Sequence, residues 1–218
     1  MTLGITTSGP VAAAVAADGI EHAHESAAQA LDGLLASVLA TLSGAGLGLE
    51  AVDSIAVCIG PGSFTGLRIG VAFAKSVAQA LDLPIVGVSS YDVAEFDAMP
   101  GRSPRVAIVE GKRDYYYARI TLPDAAPAFV RGSGEDVARA IADVPGASTR
   151  RLADVPATEQ ALRVARLGRR SAAGDAPHDW RSVDIDYGQR PNAVENWEAR
   201  KRGPQRGGAA SASNLGPR

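Results

Sequence analysis

Residues 54–88, SIAVCIGPGSFTGLRIGVAFAKSVAQALDLPIVGV, decide the fold of this chain. The apolar run from Ser54 to Ile59 is short and rich in β-branched residues, which predicts a buried strand. A glycine-rich turn follows, and the apolar pattern then predicts a helix over residues 67–81 and a second buried strand over 84–88. Such a strand–turn–helix–strand unit favours two parallel strands joined by a right-handed crossover.

The turn between the first strand and the helix has two interpretations. Glycines let backbone N–H groups approach an anion, and a helix N-terminus favours negative charge, so the turn is a candidate phosphate site. Its spacing, G-x-G-x-x-x-G, is neither the dinucleotide fingerprint nor a P-loop, and a tight structural turn explains it equally well. The candidate residues for either role are Gly60, Pro61, Gly62, Ser63, Thr65 and Gly66.

Two predicted helices carry more apolar residues than one buried face requires. In the helix over 67–81, the residues Ile69, Phe73 and Val77 form one apolar row, and a second row begins at Val71. An earlier stretch, residues 27–42, repeats leucine at helical spacing after a predicted capping box at Ser26. Both helices therefore need a second apolar neighbour, either within the monomer or on another molecule.

A family resemblance rests on the run GPGSFTGLRIGVAFAKSVAQALDLPIVGVSSYDVA, residues 60–94. This run is similar to the signature of the TsaB (YeaZ) family, bacterial proteins of the actin/Hsp70/sugar-kinase ATPase superfamily. The resemblance implies an α/β fold of two ribonuclease-H-like lobes, the second reduced. It also implies a role in making N6-threonylcarbamoyladenosine beside the tRNA anticodon, as a non-catalytic subunit that supports the related catalytic subunit TsaD, with an ATPase, TsaE, joining them.

The resemblance further implies that the two leucine- and alanine-rich helices pack against an equivalent pair on the partner. Arg68 and Lys75 are then expected to pair with carboxylates of that partner. A plain homodimer is the alternative that the same helical face supports. The expected interface residues are Leu31, Leu34, Leu35, Val38, Arg68, Val71, Ala74, Lys75 and Ala78.

Residues 2–24 predict three strands, with Asp18-Gly19 as a hairpin turn. This opening resembles the first strands of the ATPase superfamily, whose members carry an aspartate in the first turn beside phosphate and metal. Thr6 stands at that position here, and a hydroxyl does not replace a carboxylate around a hard divalent cation. We therefore expect no cofactor and no catalytic residue, with ATP or ADP at the partner interface, or a small ATPase or kinase using residues 60–66, as alternatives.

Composition limits the ligands, metal sites and cellular compartment that are expected for this chain. The net charge of −2 argues against a broad nucleic-acid surface, so tRNA contact is expected to be indirect, through the partner. One cysteine, Cys58, three scattered histidines, and no H-E-x-x-H motif predict neither a disulfide nor a zinc site. The absence of a long apolar run or a signal-like N-terminus predicts a cytoplasmic protein without a membrane segment.

The second half of the chain is expected to form the smaller lobe. We predict lobes at residues 1–98 and 99–197 and a disordered, basic tail over 198–218. Strands are predicted at 105–110 and 115–121, joined by a hairpin turn with Lys112 that resembles the family's DAR-x-GEVY segment. Residues 183–190 resemble the family's terminal P-x-Y-L-R signature. The hairpin, with its three tyrosines, is a solvated turn or a contact surface for nucleotide, tRNA or partner.

Overall fold

The computed structural model describes residues 1–98, 103–172 and 179–188. The first sheet has the order β3-β2-β1-β4-β5, in which β1, β4 and β5 are parallel to one another and β2 runs antiparallel to both of its neighbours, β1 and β3. The predicted parallel crossover unit is therefore confirmed. The strands are β1 (Thr2–Thr6), β2 (Val11–Ala17), β3 (Ile20–Ser26), β4 (Ser54–Gly60) and β5 (Ile85–Ser89).

A second sheet follows in the chain, with the order β8-β7-β6-β9. It is an antiparallel meander to which the short strand β9 adds in parallel beside β6. The predicted hairpin is present, whereas β9 was not predicted because four exposed residues, STRR, give no apolar alternation. The strands are β6 (Arg105–Glu110), β7 (Tyr116–Thr121), β8 (Ala128–Gly132) and β9 (Ser148–Arg151).

Five α-helices and three short 3-10 turns complete the described part of the chain. The helices are α1 (Ala30–Gly44), α2 (Phe64–Leu81), α3 (Ser90–Ala94), α4 (Gly134–Ala142) and α5 (Ala157–Ala172). The 3-10 turns lie at Leu49–Ala51, Leu152–Asp154 and Trp180–Ser182.

The two faces of the first sheet are covered by different helices. Because side chains alternate along a strand, Leu3 and Ile5 of β1 point to one face, where they pack with α1 and α2. Gly4 lies between them and faces α5: a Cβ at Gly4 would lie 2.5 Å from the carbonyl oxygen of Ala161. The alanines of β2 on this face, Ala12 and Ala14, pack with α5 as well. Small residues thus let α5 approach the sheet closely.

The two sheets share one apolar cluster. Cys58 of β4, Val88 of β5, Val109 of β6 and Val164 of α5 are members, and the residues of α3 fill the space between them. Helix α5, from the second half of the chain, therefore belongs to the layer that covers the first sheet. The proposed division at residue 98 stays a prediction, and the predicted tail over 198–218 lies outside the described residues.

Three helix starts differ from the sequence predictions. Helix α1 begins at Ala30 without a side-chain cap, because β3 continues to Ser26, whose hydroxyl accepts a hydrogen bond from Ala28 N–H instead. The predicted capping box at Ser26 is therefore wrong. Helix α2 begins at Phe64, three residues early, because Ser63 caps it by accepting from Gly66 N–H. The sequence also predicts a helix over residues 159–167 capped by Thr158, but α5 already includes Ala157, so Thr158 lies inside the helix. Nowhere in the described ranges is there a helix long and apolar enough to cross a bilayer.

Candidate functional site

The glycine-rich turn packs against the loop after β1. Ser63 N–H donates to the carbonyl oxygen of Ser8 at 2.6 Å, and a Cβ at Gly66 would lie 2.0 Å from the carbonyl oxygen of Thr7. At Gly60, φ is +109° and a Cβ would lie 2.2 Å from the carbonyl oxygen of Asp186. Close backbone contacts within the chain therefore explain why Gly60 and Gly66 are glycines, as expected if the turn is structural. Pro61 follows Gly60 through a cis peptide bond.

A cavity of about 650 Å³, the turn cavity, opens beside this turn. Ser63, Thr65 and Gly66 at the start of α2 form one wall, and Thr7 and the segment before α1 form others. Lys112, from the hairpin between β6 and β7, and Glu25 of β3 supply opposite charges to its lining. The hydroxyl oxygen of Thr7 is buried without a hydrogen-bond partner in the structure. The arrangement brings hydroxyls, one cation and a helix N-terminus together, which is the donor set of an anion site.

The outer surface of α1 carries a row of exposed leucines at i, i+4 and i+8. Leu31, Leu35 and Leu39 are 77%, 57% and 57% exposed. We call these three residues the leucine stripe. Side chains at this spacing lie on one side of a helix, so the stripe is a continuous apolar surface. Leu31 also lines the turn cavity, and the stripe therefore begins at the cavity rim.

The predicted interface on α1 and α2 needs correction. Leu34, Val38, Val71, Ala74 and Ala78 are each less than 5% exposed and belong to the core of this chain. They face the first sheet because the two helices use these rows to cover it, so they present no surface to a partner. Of the predicted set, Leu31, Leu35 and Arg68 are exposed and Lys75 is half-buried.

The predicted row of Ile69, Phe73 and Val77 on α2 is only partly exposed. Ile69, Phe73 and Val77 are half-buried and pack against the edge of the core. Near the start of α2, the centre of the exposed Phe64 ring lies 5.0 Å from the centre of the Tyr187 ring. The Arg68 guanidinium lies 5.5 Å from the centre of the same Phe64 ring. Arg68 thus has a partner within the chain, and its outer edge remains exposed.

The hairpin between β6 and β7 is built as its strand pattern predicts. Tyr116 faces one side, where the Arg151 guanidinium lies 5.8 Å above its ring. Tyr115 and Tyr117 meet edge to face, with ring centres 5.3 Å apart. Arg151 also forms an ion pair with Glu110. The tyrosines are therefore largely engaged within the chain, and Lys112 is the hairpin residue that reaches the turn cavity.

A second cavity, of about 370 Å³, lies where α3, β8 and residues 186–188 meet; we call it the aromatic cavity. Its lining is Tyr91, Phe129, Val130, Arg131, Asp186 and Gly188. Sequence reasoning missed it, since Phe129 stands in a segment that reads equally as a loop or an edge strand. The signal that was available is an isolated aromatic residue, Phe129, two positions before an arginine, Arg131.

An ion-pair network contacts Tyr91, one of the residues that line the aromatic cavity. Arg119 of β7 donates to Asp92 at 2.6 Å and to Glu95 at 2.9 Å, and its guanidinium lies 5.3 Å from the centre of the Tyr91 ring. Burial opposes the charge of Arg119, but hydrogen bonding to Asp92 and the two carboxylates outweigh it and raise its pKa. Burial, with a smaller contribution from Asp186, raises the pKa of the Tyr91 phenol, which stays neutral at physiological pH.

Metal ligands do not converge in the part of the chain that the structure describes, where no group of three or more His, Cys, Asp or Glu side chains is close enough to hold an ion. His22 and His24 lie on β3, and His24 Nδ1 is 3.4 Å from the Ser37 hydroxyl. His178 lies outside the described residues.

The sequence of this chain is similar to those of proteins named for tRNA threonylcarbamoyladenosine biosynthesis. The family model described as TsaD, tRNA N6-adenosine threonylcarbamoyltransferase, matches residues 21–126. The tRNA threonylcarbamoyladenosine biosynthesis protein TsaB of Haemophilus influenzae is 34% identical over 82 residues, covering 36% of this chain and 35% of that protein. A tRNA N6-adenosine threonylcarbamoyltransferase of Moorella thermoacetica is 31% identical over 181 residues, covering 77% of this chain and 50% of that protein. The chain thus spans half or less of the length of these curated relatives.

The solved structure of YeaZ from Pseudomonas aeruginosa superposes with a TM-score of 0.62 at 19% identity, covering 85% of this chain and 98% of that one. The fold is therefore that of a YeaZ-type α/β protein with two sheets. The resemblance to the TsaB, or YeaZ, family is confirmed, since curated relatives carry the first name and solved structures of the same fold carry the second.

Proposed function

We propose that this chain is a non-catalytic subunit of the machinery that attaches a threonylcarbamoyl group to N6 of the adenosine 3′ to the tRNA anticodon. The names of its curated relatives support the pathway, because they describe threonylcarbamoyladenosine biosynthesis and the transferase itself. In this proposal the two sheets are ribonuclease-H-like lobes of the actin/Hsp70/sugar-kinase superfamily, divided near residue 98. The partner is a TsaD-type catalytic subunit, with a TsaE-type ATPase joining the assembly and tRNA contacted mainly through the partner.

The leucine stripe is the observation that carries this proposal. Three leucines that are more than half exposed on one side of a helix form an apolar surface, which is typical of a protein–protein contact. A stable interface buries about 1,000 Å² or more, so the stripe would be its centre rather than its whole extent. In this proposal Arg68, which is exposed, and Lys75, which is half-buried, supply a charged rim from α2 and pair with carboxylates of the partner.

The non-catalytic assignment rests on the residue in the first turn. Thr6 Oγ1 lies 3.3 Å from the Ser8 hydroxyl, so this turn offers neutral hydroxyls at the position where the superfamily's ATPases carry an aspartate. A hydroxyl does not organise a divalent cation as a carboxylate does. We therefore assign the work of this chain to binding and supporting its partner.

Light scattering on mixtures with a TsaD-type protein tests the proposal. We expect a heterodimer, and we expect Leu35→Glu to weaken it by at least about 100-fold, because a buried unpaired carboxylate costs several kcal/mol. Leu122→Glu is the matched control, since Leu122 is 39% exposed at the end of β7, away from α1. A heterodimer that tolerates Leu35→Glu as well as Leu122→Glu would contradict the assignment of this surface.

Two other functions would give different results with the same proteins. If the chain is a plain homodimer, the isolated protein has twice the monomer mass, Leu35→Glu halves it, and TsaD does not bind. If the chain is a small ATPase or kinase, the turn cavity holds the phosphates, and calorimetry detects magnesium-dependent ATP binding by the isolated chain. We expect no magnesium-dependent ATP binding by the isolated chain, whereas a homodimer of the chain when alone agrees with the proposal if TsaD displaces it to form the heterodimer. Nucleotide that binds only after the partner is added would instead place ATP or ADP at the shared interface.

A further inference from the structure

The aromatic cavity lies apart from the leucine stripe and has no part in the proposed partner contact. Its lining comes from α3, β8 and residues 186–188, whereas the stripe lies on α1. Phe129 is 65% exposed, although the phenol ring beside it, that of Tyr91, is 3% exposed. The exposure of a large apolar ring, that of Phe129, beside a cavity needs an explanation.

The two rings define an aromatic wall. Their centres are 5.7 Å apart with an angle of 52° between the planes, which leaves Phe129 on the outside and Tyr91 behind it. Tyr91 is held in place by the guanidinium of Arg119, which in turn is bound to Asp92 and Glu95. The wall is therefore anchored from behind, so a flat ligand stacking on Phe129 would meet a surface that is already formed.

Opposite charges stand at the rim of this wall. Asp186 is exposed and accepts a hydrogen bond from Gly188 N–H at 2.7 Å through one carboxylate oxygen, Oδ1. The Arg131 guanidinium donates to the carbonyl oxygen of Gly188 at 3.4 Å, so the arginine and the aspartate lie at the same end of the cavity. A carboxylate accepts from the amino groups and ring N–H groups of heterocycles, and a guanidinium binds phosphate.

We propose that the aromatic cavity binds one base of a single-stranded RNA segment. The base would stack on Phe129, an exocyclic amino group would donate to the Asp186 carboxylate, and Arg131 would lie near the adjoining phosphate. Sequence-specific proteins commonly hold unpaired RNA bases in this way, by stacking on aromatic side chains and hydrogen bonding at the base edge. The volume of about 370 Å³ is at the lower end for ligand pockets, which suits a single nucleoside.

A single-base contact agrees with the charge of the chain. The net charge of −2 does not provide a broad phosphate-binding surface, so binding should depend on stacking more than on counterion release. The inference rests on the proposed function for its natural ligand, an unpaired tRNA nucleotide, and it adds a direct RNA contact to the indirect one expected above. The cavity itself can be tested without the partner.

Fluorescence anisotropy with labelled oligoadenylate and oligouridylate at low salt tests the cavity in the full chain. We expect oligoadenylate to bind better, because a purine stacks on the Phe129 ring over a larger area than a pyrimidine, and because adenine has an exocyclic amino group for Asp186 whereas uracil offers only a ring N–H. Phe129→Ala should weaken oligoadenylate binding roughly tenfold, the loss that removing one stacked ring typically causes. Leu122→Ala, at an exposed apolar residue outside the cavity, should have no effect. Asp186→Asn should weaken oligoadenylate binding more than oligouridylate binding, which reduces the preference for adenine.

If Phe129→Ala fails to fold, Phe129→Leu replaces it in the test. Leucine retains apolar bulk but lacks the flat ring, so this variant should also bind oligoadenylate more weakly. Equal binding by the wild-type protein and both Phe129 variants would overturn the inference, as would no detectable RNA binding by the wild type. If Phe129→Ala weakens the TsaD heterodimer but not RNA binding, the cavity is a protein-docking site and the inference is wrong. Loss of the heterodimer in Leu35→Glu with RNA binding intact separates the two proposals.

Discussion

Helices α1 and α5 cover opposite faces of the same sheet, but their outer surfaces differ. The outer surface of α1 carries the leucine stripe, and no basic residue stands in its last turn. The outer surface of α5 carries arginines, of which Arg163 pairs with Asp97 and Glu159, and Arg166 pairs with Glu21 and Glu159. Three of its guanidinium groups also lie within 6 Å of the Phe96 ring centre.

The difference separates a surface that the chain completes by itself from one that it leaves open. The long side chains of α5 cover Phe96 and satisfy their charges with carboxylates of the same chain, so this surface needs no partner. The leucines of α1 have no such cover in the described part of the chain. The composition of the two helices does not distinguish a covered surface from an open one, because it does not say whether an apolar side chain faces the sheet or the solvent.

Gly4→Ala should have the largest effect on stability. A Cβ at this position would lie 2.5 Å from Ala161 O and 2.6 Å from Ala165 N, and these backbone atoms of α5 cannot move aside without displacing the helix. We expect a loss of about 4 kcal/mol in the free energy of unfolding. Gly9→Ala is the control, because a Cβ there meets nothing within 4 Å. Urea unfolding of the two variants measures the difference; equal midpoints would show that α5 is not packed this closely.

Two adjacent leucines of α1 provide the next test. Leu34 is 2% exposed and Leu35 is 57% exposed. Leu34→Ala should lower the free energy of unfolding by about 3 kcal/mol, because it leaves a cavity against the sheet. Leu35→Ala should change it by less than about 0.5 kcal/mol in the isolated chain. Thermal unfolding compares the pair, and a costly Leu35→Ala in the isolated chain would mean that the leucine stripe is already covered.

The fold was largely predictable from the sequence because its main unit is locally encoded. The alternation of Leu3 and Ile5, the apolar run before Gly60 and the helical spacing after it each specify one element and its neighbours. The α/β class and the parallel crossover follow from these local patterns. The short strand β9 did not, since its residues are all exposed and its pairing with β6 is set by the elements around it.

The candidate surfaces were less predictable because exposure depends on which row of a helix meets the sheet. Leu34 and Leu35 are neighbours of the same type, and only the direction of α1 against β1 and β2 decides that one is buried. The same holds for Val71, which the spacing alone assigns to either face of α2. The aromatic cavity joins three distant segments, and no local pattern connects Phe129 with Asp186.

The smallest effect tests the ion pairs that complete the surface of α5. Arg166 donates to both oxygens of Glu21, Nε at 2.8 Å and Nη2 at 2.6 Å, which joins α5 to β3. This hydrogen bonding lowers the pKa of Glu21 from its ordinary value of 4.5, although partial burial opposes it. Because the carboxylate is favoured in the folded state, the stabilisation is present above pH 4.5 and is lost as the pH falls through the lowered pKa.

Glu21→Gln removes this titration. We expect the variant to be less stable than the wild type by under about 1 kcal/mol near neutral pH, since the pair is partly exposed, and we expect this gap to close as the pH falls from 4.5 through the lowered pKa of Glu21. Urea unfolding at neutral pH and at a series of lower pH values measures the gap. Glu50→Gln removes an exposed carboxylate from the 3-10 turn after α1 and is the matched control. A gap that persists at the lower pH would mean that Glu21 stabilises the surface of α5 by packing rather than by charge.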